Sequence, residues 1–557
     1  MQKLQIFAYK SSQGQTTFGV LRNPHHVAVL GLEDGQELAI LSPPLPSFHA
    51  YRELEIWKRK LRGPAGRLRW LVLGRRQQLP RLQPPTGTAE SALEVLARIQ
   101  EVLAGRLVPE RRLVKLLRDE GYWPSQISCA LDLGVFRGEI AQLPGFTAGP
   151  WGSSTCSRCG SQKARPLPCG NCGDLHCLIC LECSSVGEHR ACSTLLARRG
   201  SSPNWARGTV ELSLAYELTP AQQTASAELL DFWGRRQGRA LVWAACGAGK
   251  TEVAFALIQR ALEEGQEVLF AIPRKDIVRE IAQRLQASFP GVEVAAHHGG
   301  QPWLAPGRLV AATTHQVLHF YQRFGLAILD EVDAFPFQGN EMLRFGLERA
   351  LAPQGQLVEM TATPSGPRPS RVITIPARHH GFPLPEPEIL VDKLPPVGEL
   401  EAAVLPPAVV DTLAGTDCQW LVFAPTIAAC TALHKALVQA VPREVGLCHS
   451  KLESREQMID AFRSGLVDIL VSTSVLERGV NFSGIGVMVL YADHPIFSAS
   501  ALVQMAGRVG RSAEAPTGTV LFAASRRSPA MGEAVALIRE LNEEARRRGL
   551  LVHETTT

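Results

Sequence analysis

The chain has 557 residues, 45% of them hydrophobic and 20% charged, with 58 Lys and Arg against 53 Asp and Glu for a formal net charge of +5. That is the composition of an ordinary globular protein of three or four domains at roughly 150 residues each. It excludes disorder and a collagen-like repeat, and no stretch approaches the ~18 consecutive apolar residues of a membrane-spanning helix. The opening Met1–Phe7 turns polar too early for a signal peptide, so a cytoplasmic setting is expected.

Taken in chain order, the first 200 residues are basic, with 26 Lys and Arg against 16 Asp and Glu, whereas the remainder carries 32 against 37. Such a split points to an anionic partner for the front of the chain. Val27–Ile40 suggests a small β element within an N-terminal α+β region. From Ile56 to Thr88 there is no acidic residue, and nine basic residues from Lys58 to Arg81 are interleaved with Trp57 and Trp70. Basic and aromatic residues together suit a single-strand nucleic-acid track; anionic lipid, or a plain solvated face, is compatible with the same run. Leu93, Leu96, Ile99 and Leu103 give Ala89–Leu107 a helical period. Ser125–Val135 has a faint helix-turn-helix cadence around Gly134, although plain helical hairpins share it. The Pro/Gly-rich residues 143–150 and the run 198–203 read as breaks on either side of a cysteine-dense segment.

Eight of the 13 cysteines fall in that segment: Cys156, Cys159, Cys169, Cys172, Cys177, Cys180, Cys183 and Cys192. Repeated two-residue gaps without a secretory signal indicate metal thiolates, and eight thiolates suffice for two tetrahedral Zn²⁺ sites. Which cysteines pair, whether one or two ions bind, and whether His176 or His189 substitutes for a thiolate all stay open at this level.

Beyond Leu212 continuous apolar runs of strand length alternate with helical periods: Ala240–Ala244, Glu267–Ile272, Arg308–Ala312, Leu326–Leu329 and Leu357–Met360, then Trp420–Ala424, Ile469–Val471, Val487–Tyr491 and Thr519–Ala523. The pattern predicts two parallel sheets, each covered on both faces, divided by a Pro-rich span from Ile375 to Pro407. Residues 529–548 form an amphipathic closing helix.

The first of these strands runs into Cys246, Gly247, Ala248, Gly249, Lys250 and Thr251 and then a helix, the context of a phosphate-binding loop. Glycines let backbone N–H groups turn toward phosphates, Lys250 reaches the β/γ-phosphates, and Thr251 holds Mg²⁺. Packing is the expected reason for Cys246, with an oxidation-sensitive thiol at the helix N-terminus as the alternative. The strand Leu326–Leu329 delivers Asp330 and Glu331 to the same edge of a parallel sheet, where Asp330 can hold Mg²⁺ and Glu331 can polarise water.

With these residues the sequence resembles the superfamily-two helicases, and the family's other motifs follow in order. The resemblance implies two tandem RecA-like domains and assigns Gln222 to the adenine edge. It places Pro273, Arg274 and Lys275, together with Thr313, Thr314 and His315, on the DNA face. Thr361, Ala362 and Thr363 would couple nucleotide state to DNA. In the second half Thr473 and Ser474 would contact DNA, while Gly479 and Gln504 would contact ATP. Arg508 and Arg511 would neutralise charge developing on the γ-phosphate. Asn481 stands where many relatives have Asp.

Cysteines directly before the first motor half, with the strings 246–251, 330–337, 375–380 and 476–480, resemble the ComFA family of late competence proteins over about residues 150–530. That resemblance implies an ATP-dependent motor that binds single-stranded DNA and helps draw transforming DNA inward. It also implies work at the inner face of the membrane by an uptake channel, and the companions ComFC and DprA as partners. The expected division is residues 1–149 (basic N-terminal region), 150–200 (zinc module), 210–380 and 381–557 (motor halves). The competing readings are a restart or repair helicase of the PriA type, in which cysteines interrupt the motor, and a DNA-binding scaffold with a vestigial ATPase.

Overall fold

Two parallel sheets dominate the chain. The computed structural model describes residues 3–10, 16–23, 37–42, 45–60, 88–148, 153–200, 205–299, 307–364, 366, 369–400, 404–477, 480 and 482–552. In the first sheet seven strands lie side by side in the order Val294–His297, Leu309–Thr313, Val268–Ile272, Phe324–Leu329, Leu351–Thr361, Arg239–Ala244 and Arg371–Ile375. All the pairings are parallel. The second sheet has six parallel strands in the order Glu388–Val391, Val520–Ala524, Ile485–Leu490, Gln419–Phe423, Ile469–Ser472 and Val445–Cys448. Parallel strands need crossover helices, which cover both faces, so central strands read as unbroken apolar runs. Phe324–Leu329, Val268–Ile272 and Ile485–Leu490 are indeed buried at every position. Each fully buried large apolar side chain contributes about 1.5–3 kcal/mol, so these strands hold rigid whatever follows their C-terminal ends. The strand Glu388–Val391 lies inside the Pro-rich span that separates the two series, and it belongs to the second sheet. No described helix is long and apolar enough to cross a membrane.

The front of the chain is α+β. The strand Lys3–Lys10 pairs antiparallel with Thr16–Leu21, Glu37–Ile40 and Leu45–Pro46. The helix Ser47–Lys60 packs against this sheet. Residues 61–87, which hold most of the basic stretch and Trp70, lie outside the described residues; Trp57 is half-buried against the N-terminal core.

Two expectations for this region are corrected. Ser125–Val135 is no helix-turn-helix but part of one uninterrupted helix, Pro124–Phe136, packed on Thr88–Leu103. Gly134 serves close packing, since a Cβ there would lie 2.5 Å from Ile140 Cδ1 and 2.7 Å from Leu96 Cδ1. Asp132 on the same helix is fully buried, accepting from the Arg22 and Asn23 backbone N–H groups and pairing with the Arg22 guanidinium at 3.2 Å. Residues 143–148 are likewise no free linker. Ile140–Pro144 pairs with Thr194–Arg198, and Phe146–Ala148 pairs with Ser154–Cys156. The cysteine segment therefore leaves the N-terminal unit and returns to the same small sheet.

The N-terminal unit is docked on the half of the chain built on the seven-stranded sheet. Leu107 N–H donates to His319 O at 2.8 Å, and Tyr321 N–H donates to Gly105 O at 3.1 Å. Gly105 adopts φ +63° directly over Arg323, whose Cγ a Cβ would approach to 2.5 Å, so any larger residue is excluded.

Candidate active site

In a parallel sheet every strand ends at the same edge, and the motif residues follow those ends. Ala244 leads into a loop in which Gly247 and Gly249 take φ of +83° and +70°, conformations that residues with a Cβ rarely adopt. Lys250 opens the following helix. A Cβ on Gly249 would fall 2.3 Å from Gln222 Nε2, so the loop closes only because that side chain is absent. Gln222 is buried and fully engaged: its Nε2 donates to Ala248 O at 2.9 Å, and its Oε1 accepts from Thr219 N–H at 2.8 Å in a reciprocal cap of the helix Pro220–Gly234. It thus holds the loop from below.

From the neighbouring strand end, Asp330 Oδ1 lies 2.9 Å from Lys250 Nζ. Burial disfavours the Lys250 ammonium, but the carboxylates of Asp330 and Glu331 outweigh it and raise the lysine pKa. Burial likewise pushes the Asp330 carboxyl up, against the pull of Lys250. Glu331 follows in a left-handed backbone conformation, φ +55°, which for a residue with a Cβ costs on the order of 1–3 kcal/mol and persists only where its surroundings enforce it. Its N–H donates to Asp330 Oδ1 and its carbonyl accepts from Ala334 N–H, which fixes the turn. Thr251 is buried beside them. The cradle and the paired Lys250 and Asp330 fit a nucleotide phosphate with its Mg²⁺, both being charges that this pair would otherwise leave to each other.

A third carboxylate, Asp333, joins the halves. It accepts from Thr361 Oγ1 at 2.8 Å, Thr363 Oγ1 at 2.9 Å and Ser500 Oγ at 2.6 Å, while Thr363 Oγ1 also lies 2.8 Å from Ser500 Oγ. Thr361 ends a strand of the first sheet with Thr363 two residues beyond it, and Ser500 lies in the first turn of the helix Ala499–Ala506 of the second half. Ala362 takes part through its carbonyl, which accepts from Trp243 Nε1 at 3.1 Å.

The helix Ala499–Ala506 brings Gln504 to the loop, where Cys246 Sγ lies 3.5 Å from Gln504 Oε1 and packs against Gly507. Cys246 is buried in this seam. Arg511 faces the loop too: its Cγ would be 3.9 Å from a Cβ on Gly247, and burial lowers its pKa against the pull of the Glu331 carboxylate. Arg508 is turned elsewhere, donating through Nε and Nη2 to Glu477 O at 3.0 and 2.6 Å and through Nη1 to Val480 O. Gly479 lies outside the described residues.

One residue that motif spacing did not assign sits at the centre of this seam. Arg378 donates to Cys246 O at 2.9 Å, Val509 O at 2.6 Å, Gly507 O at 3.2 Å and Gly510 O, tying the phosphate loop to the second half. Burial pulls its pKa down to about 10. Its signal was present in the string 375–380, and Asp333 stood in the acidic turn; Ser500 stood in no motif.

The residues expected on the DNA face follow strand ends as well. Pro273, Arg274 and Lys275 follow Val268–Ile272, and Thr313, Thr314 and His315 follow the adjacent Leu309–Thr313. Lys275 is exposed and His315 half-buried, while Pro273, Thr313 and Thr314 are buried. Arg274 reaches across to Glu477 of the second half at 3.4 Å. Thr473 and Ser474 follow Ile469–Ser472, with Ser474 exposed.

The eight thiolates gather into two groups: Cys156, Cys159, Cys180 and Cys183, then Cys169, Cys172, Cys177 and Cys192. Tetrahedral zinc with Zn–S of about 2.3 Å places sulfurs about 3.8 Å apart. The separations are 3.8 Å for Cys156–Cys183, 3.6 Å for Cys159–Cys180 and 3.7 Å for Cys169–Cys192, so both sets fit Zn²⁺. Neither histidine is needed. His189 is buried, with Nε2 2.9 Å from Gly145 O, and the His176 backbone N–H donates to Asp174. The first group is continuous with the core of the seven-stranded sheet: Arg349 of the helix Glu341–Ala350 donates to Ser157 O at 3.1 Å, to Arg158 O at 2.5 Å and to Leu318 O at 2.8 Å.

Residues 215–366 match the family described as "Type III restriction enzyme, res subunit", and residues 406–513 match the helicase conserved C-terminal domain. The competence protein ComFA of Bacillus subtilis is 33% identical over 410 residues, covering 70% of this chain and 86% of that one. That of Streptococcus pneumoniae is 35% identical over 339 residues, covering 59% and 78%. The ATP-dependent DNA helicase RecG of Acidithiobacillus ferridurans is 30% identical over 369 residues, covering 59% of this chain and 51% of its own length.

Proposed function

Since the chain belongs to the ComFA family of competence proteins, we propose that it is a DNA-dependent ATPase that steps along single-stranded DNA and drives the uptake of transforming DNA. One observation carries this reading. Lys250, Asp330 and Glu331 stand together on one side of a seam whose other side brings Arg511 to the same phosphate loop.

In this reading Lys250 leaves Asp330 for the β/γ-phosphates of ATP. Thr251 and Asp330 would hold Mg²⁺, which supplies neutralising charge when bound. Glu331, fixed by its strained turn, polarises the attacking water, and ATP with water yields ADP and phosphate. Arg511 is already at the loop. Arg508 would join it by releasing the carbonyls of Glu477 and Val480 as the halves close. Gln222 holds the loop, and reading the adenine edge, its role by family, would require its amide to leave Ala248 or Thr219, with Gln504 and Gly479 completing the nucleotide site. Asp333, Thr361, Thr363 and Ser500 transmit closure between the halves.

DNA would lie along Pro273–Lys275, Thr313–His315, Thr473 and Ser474, gripped through backbone phosphates and therefore without sequence preference. Opening and closing would break and remake the Arg274–Glu477 pair and so couple the grip to ATP. Two structural zinc ions, one for each set of four thiolates, would hold the module of residues 150–200 on motor residues 210–380, with 1–149 in front and 381–557 as the second half. By family, the companions are ComFC, DprA and the uptake channel, at the cytoplasmic face of the membrane.

The test is ATP turnover by Lys250→Ala and Glu331→Gln. Both are expected to lose at least ~100-fold of the single-strand-stimulated rate, by analogy with other preorganised charge-stabilising groups. Unchanged turnover in Lys250→Ala would leave a scaffold with a vestigial site.

A further inference from the structure

A cleft of about 650 Å³ opens in the N-terminal unit, and none of its lining residues comes from either motor sheet. That volume falls within the roughly 300–1,000 Å³ of small-ligand sites. Its walls are aromatic: Phe7, Tyr9 and Phe18 from the N-terminal sheet and Phe136 from the end of the helix Pro124–Phe136. Tyr9 and Phe136 meet edge-on with centroids 4.9 Å apart, and Phe7 lies 6.2 Å from Phe136. Gly19, opposite Phe7 in the sheet, keeps this wall in place, since a Cβ there would fall 2.5 Å from Phe7 Cε1.

Two features mark the cleft as more than apolar packing. Gln142 lines it from the strand Ile140–Pro144, and both its Nε2 and its Oε1 are buried without a hydrogen-bond partner among the described residues. A buried amide with donor and acceptor both unsatisfied is rare, because each forfeits its bonds to water, and a rotation of the side chain into the cleft would let a ligand with an acceptor and a donor side by side satisfy both. The rim is cationic. Arg52, Arg137 and Arg199 line it with no ion pair among the described residues, and the one acidic lining residue, Glu55, is paired with Lys58 at 2.9 Å.

Aromatic side chains, a buried amide and three guanidinium groups on one cleft together suit a nucleotide within a single strand: stacking, edge recognition and phosphate contact. We propose that this cleft receives a nucleobase of single-stranded DNA, forming a DNA contact separate from the motor. The proposal rests on the reading of the chain as a single-strand motor. The helix Ser47–Lys60 supplies Tyr51, Arg52 and Lys58 to the cleft.

The experiment uses the full chain, a labelled thymidine oligonucleotide and an abasic oligonucleotide of equal length. Wild type is expected to bind the base-bearing strand more tightly than the abasic one. Gln142→Leu is expected to bind it at least about fivefold more weakly, with affinity for the abasic strand and the DNA-free ATPase rate unchanged. Should Gln142→Leu fail to fold, Arg137→Ala and Arg199→Ala serve instead, with weaker binding of both strands as the expected result. Photo-cross-links from 5-iodouracil are expected on Tyr9, Phe18 or Phe136. Equal affinity of wild type and Gln142→Leu for both strands, with cross-links confined to the motor halves, overturns the proposal. Full competition by free thymidine monophosphate at the affinity of the oligonucleotide also overturns it, since the cleft would then take a free nucleotide. Wild-type ATPase unaffected by single strand would instead count against the motor reading, whatever the cross-links show.

Discussion

Asp333 accepts three hydroxyl hydrogen bonds in a buried setting, and only the one from Ser500 crosses between the motor halves. A hydrogen bond to a buried charge is worth about 1.5–3 kcal/mol, and the two threonines remain to share the carboxylate. Ser500→Ala should therefore weaken closure by about 1–2 kcal/mol, lowering the DNA-stimulated ATPase rate roughly 5–30-fold. A steady-state rate equal to wild type would show that closure does not run through this contact. His319 offers a pH test. Burial, together with Arg112, Arg158, Arg349 and His297, pulls its pKa down to about 4 from an ordinary 6.5. The folded protein then keeps this ring neutral while the unfolded chain takes up a proton below pH 6.5. Stability should be highest above pH 6.5 and fall as pH drops from 6.5 toward 4, by at most about 3 kcal/mol. Denaturant melts across this range should show that loss in wild type and a flatter profile in His319→Gln. At this scale Lys250, Thr251, Asp330 and Glu331 were legible because their chemistry follows from spacing within a few positions. The contacts of Ser500 and Arg378 were not, because their partners Asp333 and Cys246 lie 167 and 132 residues away in sequence.

Among the elements, every interior strand of both sheets could be read from its apolar run, and each strand left unread is a sheet edge: Val294–His297, Arg371–Ile375, Glu388–Val391 and Val445–Cys448. An edge strand has a neighbour on one side only and is less completely covered, so its residues need not be apolar throughout; Glu388–Val391 has no buried position at all. The zinc groups show the same division between local and distant information. Two-residue gaps announced thiolate ligands, whereas their pairing depended on how the strand Cys177–Cys180 folds back on Ala164–Leu167. The docking of the first group on the helix Glu341–Ala350 was not legible, because it runs through backbone carbonyls gripped by Arg349. That guanidinium is deeply buried, and burial pulls its pKa down to about 10. Arg349→Ala strips buried carbonyls of their donor and should cost at least about 2 kcal/mol of stability, measured by equilibrium unfolding. Zinc removal by a chelator should lower the thermal midpoint of the motor as well as that of the module, since both share one core. A motor transition indifferent to chelation would mean that the module is only tethered.

Over the whole molecule, the small formal charge of +5 conceals a basic front joined to an acidic motor. The motor needs few positive groups because it places them, with Lys250 and Arg511 at the phosphate loop and Arg274 at the seam. The front is attached through the contacts of Leu107 and Tyr321 and through a cysteine segment that leaves and re-enters its sheet. DNA held in front would therefore stay in fixed relation to the motor as the halves move. The central claim is that ATP hydrolysis is driven by single-stranded DNA, and it is tested most directly by the ATPase rate measured with no nucleic acid, with single strand, with blunt duplex and with forked DNA. Stimulation by the single strand, with duplex and fork adding nothing beyond it, is the result expected. A rate indifferent to single strand, or raised chiefly by the fork as suits a restart or repair helicase, would contradict the account.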